Sequence, residues 1–473
     1  MRHGSDKQSL ELLDCSQPKG LEARLGQSPE APRHLQDTGL NRQFLLNSIL
    51  KFLYIPALQT VSEISNQVKL SSRIIESLLE TLKKQALVEV TGAIDNNPLI
   101  LKYVLTSKGK QRAIEALKQS EYIGPVPVPL AVYQAQVGKQ LVAHEQIKPD
   151  QLLQTFSHLV LPETIFRQLG PGINSAKAIL LYGQSGNGKS SIAEGLGQVF
   201  QQTIYIPYCI EVDGHIIKIF DPAMHEEVSS EPGSESSDGR EIKGRSFKYD
   251  PRWVRCRRPV VITAGELTLR MLDLDFDPVS KYYEAPLQVK ATGGVFIIDD
   301  FGRQQIRPLD LMNRWIRPLE KRVDYLTLHT GKKFQVPFDS VVIFSTNIPP
   351  ETLMDAAALR RVPYKLQIAP PSAAEFETIF RRVCEFYGLE FSKDVVSYLL
   401  DDFYDKNSVP LAAFHPKFIV EHVIAACKYE GVLPHISHNL LQEALQNLVV
   451  SKPTEPGGPA CNRQDQSAAV AHL

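Results

Sequence analysis

Cysteine is scarce in this chain. Six residues in 473 are cysteine, at 15, 209, 256, 384, 427 and 461. None forms a CxxC pair or a Cys/His cluster at zinc spacing, so neither a disulfide framework nor a structural metal site is expected. Scattered single cysteines suit a reducing compartment. Long hydrophobic runs are missing too. No stretch approaches the roughly 20 apolar residues that cross a bilayer. Met1–Gly20 is polar and lacks the apolar core of a signal peptide. The expectation is a cytoplasmic chain with no membrane contact. Net charge is almost nil, at −1 from 52 Lys+Arg and 53 Asp+Glu. That balance excludes a globally basic nucleic-acid coat and a globally acidic tail, though not a local basic face. The remaining composition is 43% hydrophobic and 22% charged, which rules out a wholly disordered or fibrous chain. The length predicts about two to four domains.

Residues 1–38 are rich in Gln, Ser, Pro and Gly without periodicity, and are read as a disordered tail. In 39–123 the pattern becomes regular. Phe44, Leu45, Ile49, Leu50 and Leu53 recur at helical spacing up to Pro56. A second helix runs from Thr60 to about Lys69. Ser71 and Ser72 look like a cap for a third, which carries Ile74, Ile75, Leu78, Leu79 and Leu82. Strands follow at Ala86–Val90 and Leu99–Leu105, and a basic helix at about Lys108–Ser120 closes the unit. Three helices, a two-stranded wing and a helix resemble a winged helix-turn-helix. Residues 39–121 hold 11 Lys/Arg and 7 Asp/Glu. The third helix offers Arg73, Lys83 and Lys84 but also Glu76 and Glu80. Duplex DNA binding and protein docking therefore both stay open.

Residues 124–150 are a Pro-rich linker and connector, opening Gly124-Pro125-Val126-Pro127-Val128-Pro129. Residues 151–369 alternate buried-strand runs with helical patterns, the signature of a parallel α/β sheet. The expected strands are Ala178–Tyr182, Thr203–Pro207, Val260–Ile262, Val295–Asp299 and Ser340–Thr346. A Ser-, Gly- and acid-rich interruption at 225–245 reads as an exposed loop. Residues 370–451 are all-helical and 452–473 are read as a disordered tail.

The strongest signal is Gly183-Gln184-Ser185-Gly186-Asn187-Gly188-Lys189-Ser190, a full G-x-x-x-x-G-K-[ST] match, with Ser191 in the helix it opens. Glycines let consecutive backbone N–H groups turn toward a polyphosphate, and the helix N-terminus favours its charge. Lys189 is placed to reach the β- and γ-phosphates, and the Ser190 hydroxyl to ligate Mg²⁺. The apolar run Gly293–Ile298 then ends in Asp299-Asp300. In this Walker B pattern Asp299 holds Mg²⁺ and Asp300 orients the attacking water. A third buried run, Val341–Thr346, ends in Asn347, and Asp355–Arg361 follows.

With these motifs, residues 150–450 resemble the AAA+ ATPases, of the bacterial stand-alone type with an N-terminal winged helix. The resemblance implies an α/β P-loop domain with a helical lid, ATP and Mg²⁺ as ligands, and a homo-oligomeric ring, a hexamer. It makes Asn347 sensor 1, Arg360 or Arg361 the arginine finger, and Lys417 the counterpart of the sensor 2 arginine. It implies remodelling of a protein or protein–nucleic-acid complex. The rival reading is a DNA-binding regulator that uses ATP as an assembly switch. Asp300 stands where the family usually has Glu, and Lys417 where it has Arg. The stretch between Lys189 and Asp299 is long for the family and reads as an insertion. Tyr282-Tyr283 is a candidate pore pair, with core packing as its alternative. Arg303, Arg307, Arg314, Arg317 and Arg322 form either a solvated face or a subunit interface. No guanine-recognition N/T-K-x-D pattern is apparent, which favours ATP over GTP.

Overall fold

The computed structural model describes residues 28–93, 101–228 and 249–448. The expected tails at 1–27 and from 452 on, and most of the interruption at 225–245, lie outside these residues. Two compact units result. Among the described residues, the first comprises those up to 184 and from 189 to 368, and the second those at 185–188 and 369–448.

In the first unit, helices α1 (Arg42–Tyr54), α2 (Val61–Val68) and α3 (Ser72–Lys84) precede strands β1 (Val88–Ala93) and β2 (Leu101–Leu105) and helix α4 (Ser107–Gln119). Local chemistry sets their starts. The Asn41 side chain caps α1, Thr60 and Glu63 form a reciprocal capping box on α2, and Thr106 caps α4. Ser71 sits at the N-cap of α3, yet its side chain makes no capping bond. The apolar faces of α1–α3 meet in one core with Leu45, Ile49, Ile64, Ile75 and Leu79.

Residues 28–38, expected to be tail, instead pack against the body. Thr38 is fully buried, and the Asp250 N–H donates to Pro29 O. Buried Arg252 pairs with Asp250 and donates to the carbonyls of Thr38 and Pro127. The linker is not merely a spacer either. Val128–Pro129 is an edge strand that pairs with Ile210–Glu211.

The central sheet is five-stranded and wholly parallel. Its order is Tyr364–Gln367, Ile179–Tyr182, Ser340–Thr346, Gly294–Ile298 and Val260–Thr263. Strands buried on both faces read as continuous apolar runs, and all seven residues of Ser340–Thr346 are buried. Two expectations change here. Thr203–Pro207 is a strand, but it pairs antiparallel with Trp253–Arg257 outside this sheet. Its place in the sheet goes to no other early strand, while Tyr364–Gln367 joins as an unforeseen edge. That strand is short and only Leu366 of its four residues is buried, so it lacks the apolar run that marked its neighbours.

Four strands from the stretch between Lys189 and Asp299 join the linker strand in a second five-stranded sheet, ordered Asp275–Phe276, Tyr283–Glu284, His215–Lys218, Cys209–Val212 and Val128–Pro129. Its core contains Ile210, Ile217, Trp253 and Tyr283. In the second unit, helices Ala373–Tyr387, His415–Glu430 and His438–Leu448 pack around Phe376, Phe380, Ile419 and Leu441. Among the described residues no helix is long and apolar enough to cross a membrane.

Candidate nucleotide site

Parallel sheets place ligands beyond the carboxyl ends of their strands. Three neighbouring strands end here in the residues singled out from the sequence. Tyr182 lies opposite Thr346, and Phe344 opposite Ile298. Gly183 therefore follows one strand, Asn347 the next and Asp299 the third, side by side.

The loop after Tyr182 needs its glycines. Gly183 has φ +144°, and a Cβ there would lie 2.3 Å from Ile368 O. Gly188 has φ +81° with nothing within 4 Å of a built Cβ, so its outer face is open. Helix Lys189–Gln198 starts directly behind it, carrying Ser190 and Ser191. Lys189 is only 6% exposed, and its Nζ donates to Gln184 O at 2.8 Å. Burial pushes its pKa down, against the opposing pull of Asp299 and Asp300. A buried ammonium bonded to its own loop is poised to exchange that carbonyl for a phosphate oxygen.

The loop's crown, 185–188, belongs to the second unit. There Phe414 N–H donates to Gly186 O at 3.0 Å and Ala413 N–H to the Asn187 side-chain oxygen at 3.1 Å. A Cβ on Gly186 would meet the Phe414 ring at 2.2 Å.

Asp299 is fixed by its N–H, which donates to Thr263 O, while its Oδ1 is buried without a partner. An orphaned buried carboxylate oxygen is costly unless a cation or donor meets it. The site thus fits a hard divalent cation, with the Ser190 hydroxyl a second oxygen donor of the right kind. Asp300 is exposed, adopts φ +49°, and its Oδ1 accepts from Asn347 Nδ2 at 3.2 Å. The Asn347 side-chain oxygen is buried and unpartnered. The second acid and the amide are thus brought together, with one acceptor left over for a water proton.

The remaining candidates divide. Arg361 Nε lies 2.9 Å from Glu320 Oε1 as an ion pair, and its guanidinium also donates to Ala357 O. With a side chain 13% exposed, it is committed within its own chain. Arg360 beside it is exposed. Lys417 is 65% exposed and 3.7 Å from Glu421. Tyr283 is buried at 1% in the core of the second sheet, and Tyr282 packs edge-on to Tyr122. Burial of Tyr283 answers to core packing. Of the arginines after Walker B, Arg314 pairs with Asp324 and Arg322 with Asp339 within the unit, while Arg303 is exposed. Sequence reasoning missed Gln304, Ala413 and Phe414. Nothing in a single Gln or a Phe marks such contacts in advance.

A family profile described as "Domain of unknown function (DUF8689)" matches residues 372–447. No curated protein matches the chain. Among solved structures the chain is similar to NtrX from Brucella abortus in complex with ADP, at 13% identity and a TM-score of 0.36, over 73% of this chain and 68% of that one. Another NtrX structure from that organism gives 15% and 0.35, with 81% of this chain matched to 64% of that one. A point mutant of RuvB from Thermotoga maritima gives 11% and 0.32, over 65% and 72%. Likenesses this distant carry no argument about activity, which rests on the geometry above.

Proposed function

We propose that the chain is a Mg²⁺-dependent ATPase of the AAA+ type. The observation that carries this reading is the convergence of buried Lys189, the orphaned Asp299 oxygen and the Asp300–Asn347 pair on adjacent strand ends. Backbone N–H groups of 183–188 and Lys189 would hold the phosphates, and Ser190 and Asp299 the metal. Mg²⁺, when bound, neutralises phosphate charge as bonds rearrange. Asp300 would accept a proton from the attacking water, with Asn347 orienting both. Arg360 is the better finger, since Arg361 is engaged within its own chain, and a finger used in trans requires a ring. The helices and hairpin of 39–123 would then be a winged helix that selects a protein or nucleoprotein client for remodelling.

A second reading is an assembly switch, with ATP bound long and hydrolysed slowly. It draws on the engagement of Asp300 by Asn347 and on an exposed α3 face bearing Arg73, Lys83 and Lys84 for duplex DNA. Steady-state ATP hydrolysis, with Lys189→Ala as blank and with or without duplex DNA, decides between them. Turnover indifferent to DNA favours remodelling. Turnover raised by DNA, and lost from that response on deleting residues 1–121, favours the regulator. Wild-type hydrolysis equal to the blank refutes both.

A further inference from the structure

The turn that follows Walker B is held by a side chain that no motif contains. Asp300 is a non-glycine residue at φ +49°, a conformation that costs free energy and persists only where its surroundings impose it. Gln304 imposes it. Its Nε2 donates to Asp299 O at 2.8 Å and to Asp300 O at 3.0 Å, and its Oε1 accepts the Gly302 N–H at 2.7 Å. One amide thus closes the turn at three backbone groups. Asp300 O also accepts the Arg303 N–H. Gly302 is itself at φ +108°, a backbone that favours glycine, and a Cβ there would meet the Leu353 side chain.

The far side of the turn is tied to the neighbouring strand. Phe301 N–H donates to Ser345 O at 2.6 Å, Thr346 Oγ1 donates to Phe301 O at 2.6 Å, and Asn347 Nδ2 reaches the Asp300 carboxylate. These bonds fix where the chain leaves the strand. They do not reach the Asp299 and Asp300 carbonyls, both of which accept from Gln304 Nε2, the second sharing its oxygen with the Arg303 N–H.

We infer that Gln304 is a positioning residue for Asp300, holding the left-handed backbone that aims this short carboxylate at the attacking water. The inference rests on the ATPase reading. Aspartate is one methylene shorter than glutamate, so its reach depends on the direction of its Cα–Cβ bond. A peptide released from Gln304 relaxes toward φ below zero and swings the carboxylate off its Asn347 partner.

The test uses the full chain, with Gln304→Met, which keeps side-chain length and removes all three hydrogen bonds. Gln304→Glu is the second variant, keeping an acceptor for Gly302 N–H while losing both donated bonds. The expected result is a fall in kcat of roughly 10- to 100-fold, part of the 10²–10⁴ that a placed base contributes. KM for ATP and the affinity for a fluorescent ATP analogue should stay within about twofold, because no phosphate contact is touched. In an Asp300→Asn background, Gln304→Met should slow turnover no further, since both changes then remove one function. Should Gln304→Met not fold, the Glu variant carries the same comparison. Unchanged kcat, equal losses in affinity and kcat, or additive losses with Asp300→Asn overturn the inference while leaving the ATPase reading intact. Wild-type turnover no higher than Lys189→Ala overturns the ATPase reading and the inference with it.

Discussion

His415 should make the helical unit acid-sensitive. It opens helix His415–Glu430 and is 6% exposed. Its ring stacks on Tyr404, with centroids 5.5 Å apart and planes 13° apart, and Nδ1 shares a hydrogen bond with the Tyr404 hydroxyl at 2.9 Å. Burial lowers its pKa from 6.5 to about 4. The positive end of a helix also disfavours an imidazolium. The unfolded segment takes up a proton near pH 6.5, and the folded one only near 4. Between those values unfolding binds a proton, so stability falls as pH drops through that window and is flat above it. At about 1.4 kcal/mol per pH unit the loss is at most roughly 3.4 kcal/mol, about a 300-fold change in the opening equilibrium. Both tryptophans, Trp253 and Trp315, lie in the first unit, so their fluorescence is silent here. The assay is amide hydrogen exchange by mass spectrometry on peptides from 415–430, corrected for the intrinsic pH dependence. His415→Phe keeps the stack but leaves the Tyr404 hydroxyl unpaired, a constant cost of about 1–3 kcal/mol. Its protection should be lower at neutral pH and nearly independent of pH down to about 4.5. Equal pH slopes in wild type and variant would refute the reasoning. Ala413 and Phe414, which hold the loop crown, adjoin His415, so the same titration should weaken those bonds.

Other outcomes follow from single contacts. Arg360→Ala should cost roughly 10³-fold or more in kcat, the scale of an arginine finger, and mixing it with Lys189→Ala subunits should restore part of the rate; Arg361→Ala should change turnover far less. Asp299→Asn should lower Mg²⁺-dependent hydrolysis by about 100-fold, because several kcal/mol of metal-borne charge stabilisation is lost, and Mn²⁺ binding followed by paramagnetic resonance should weaken in step. Lys51 is buried, donates to Ser120 O and Tyr122 O, and has its pKa pushed down by burial from 10.5 to about 8. The unfolded chain then holds one more proton between those values, so this residue adds stability as pH rises from 8 to 10.5. Denaturant melts of Lys51→Met should lack that rise, and an identical rise in the variant would count against it.

Much of the site was legible because its chemistry is local. Gly183 to Ser190 are one contiguous stretch, a loop running into a helix start, and a loop that wraps a phosphate needs its glycines and lysine at set spacings. The runs before Asp299 and Asn347 announce buried parallel strands by their length and lack of polar residues. Helix starts were less legible: Thr60, Thr106 and Ser372 cap their helices through side chains three residues from their targets, whereas Ser71, where the sequence suggested a cap, makes no capping bond. Thr203–Pro207 misled because a short β-branched and aromatic run fits a strand of any sheet. Its partner Trp253–Arg257 lies about fifty residues away, and pairing at that distance leaves no local trace.

Arg360 and Arg361 show where local information ends. The two are chemically the same and adjacent, and only the position of Glu320 decides which guanidinium is used up. The same holds for Tyr283, buried by strands that begin at 209 and 215, and for residues 28–38, pinned by Arg252 more than two hundred positions on. Composition and spacing settle which groups can bind a phosphate or a metal, because those needs are written in residue type. Which of two like residues is spent inside the molecule, and which backbone is held at a strained φ, depends on neighbours brought close by folding. A linear pattern carries no distance between them.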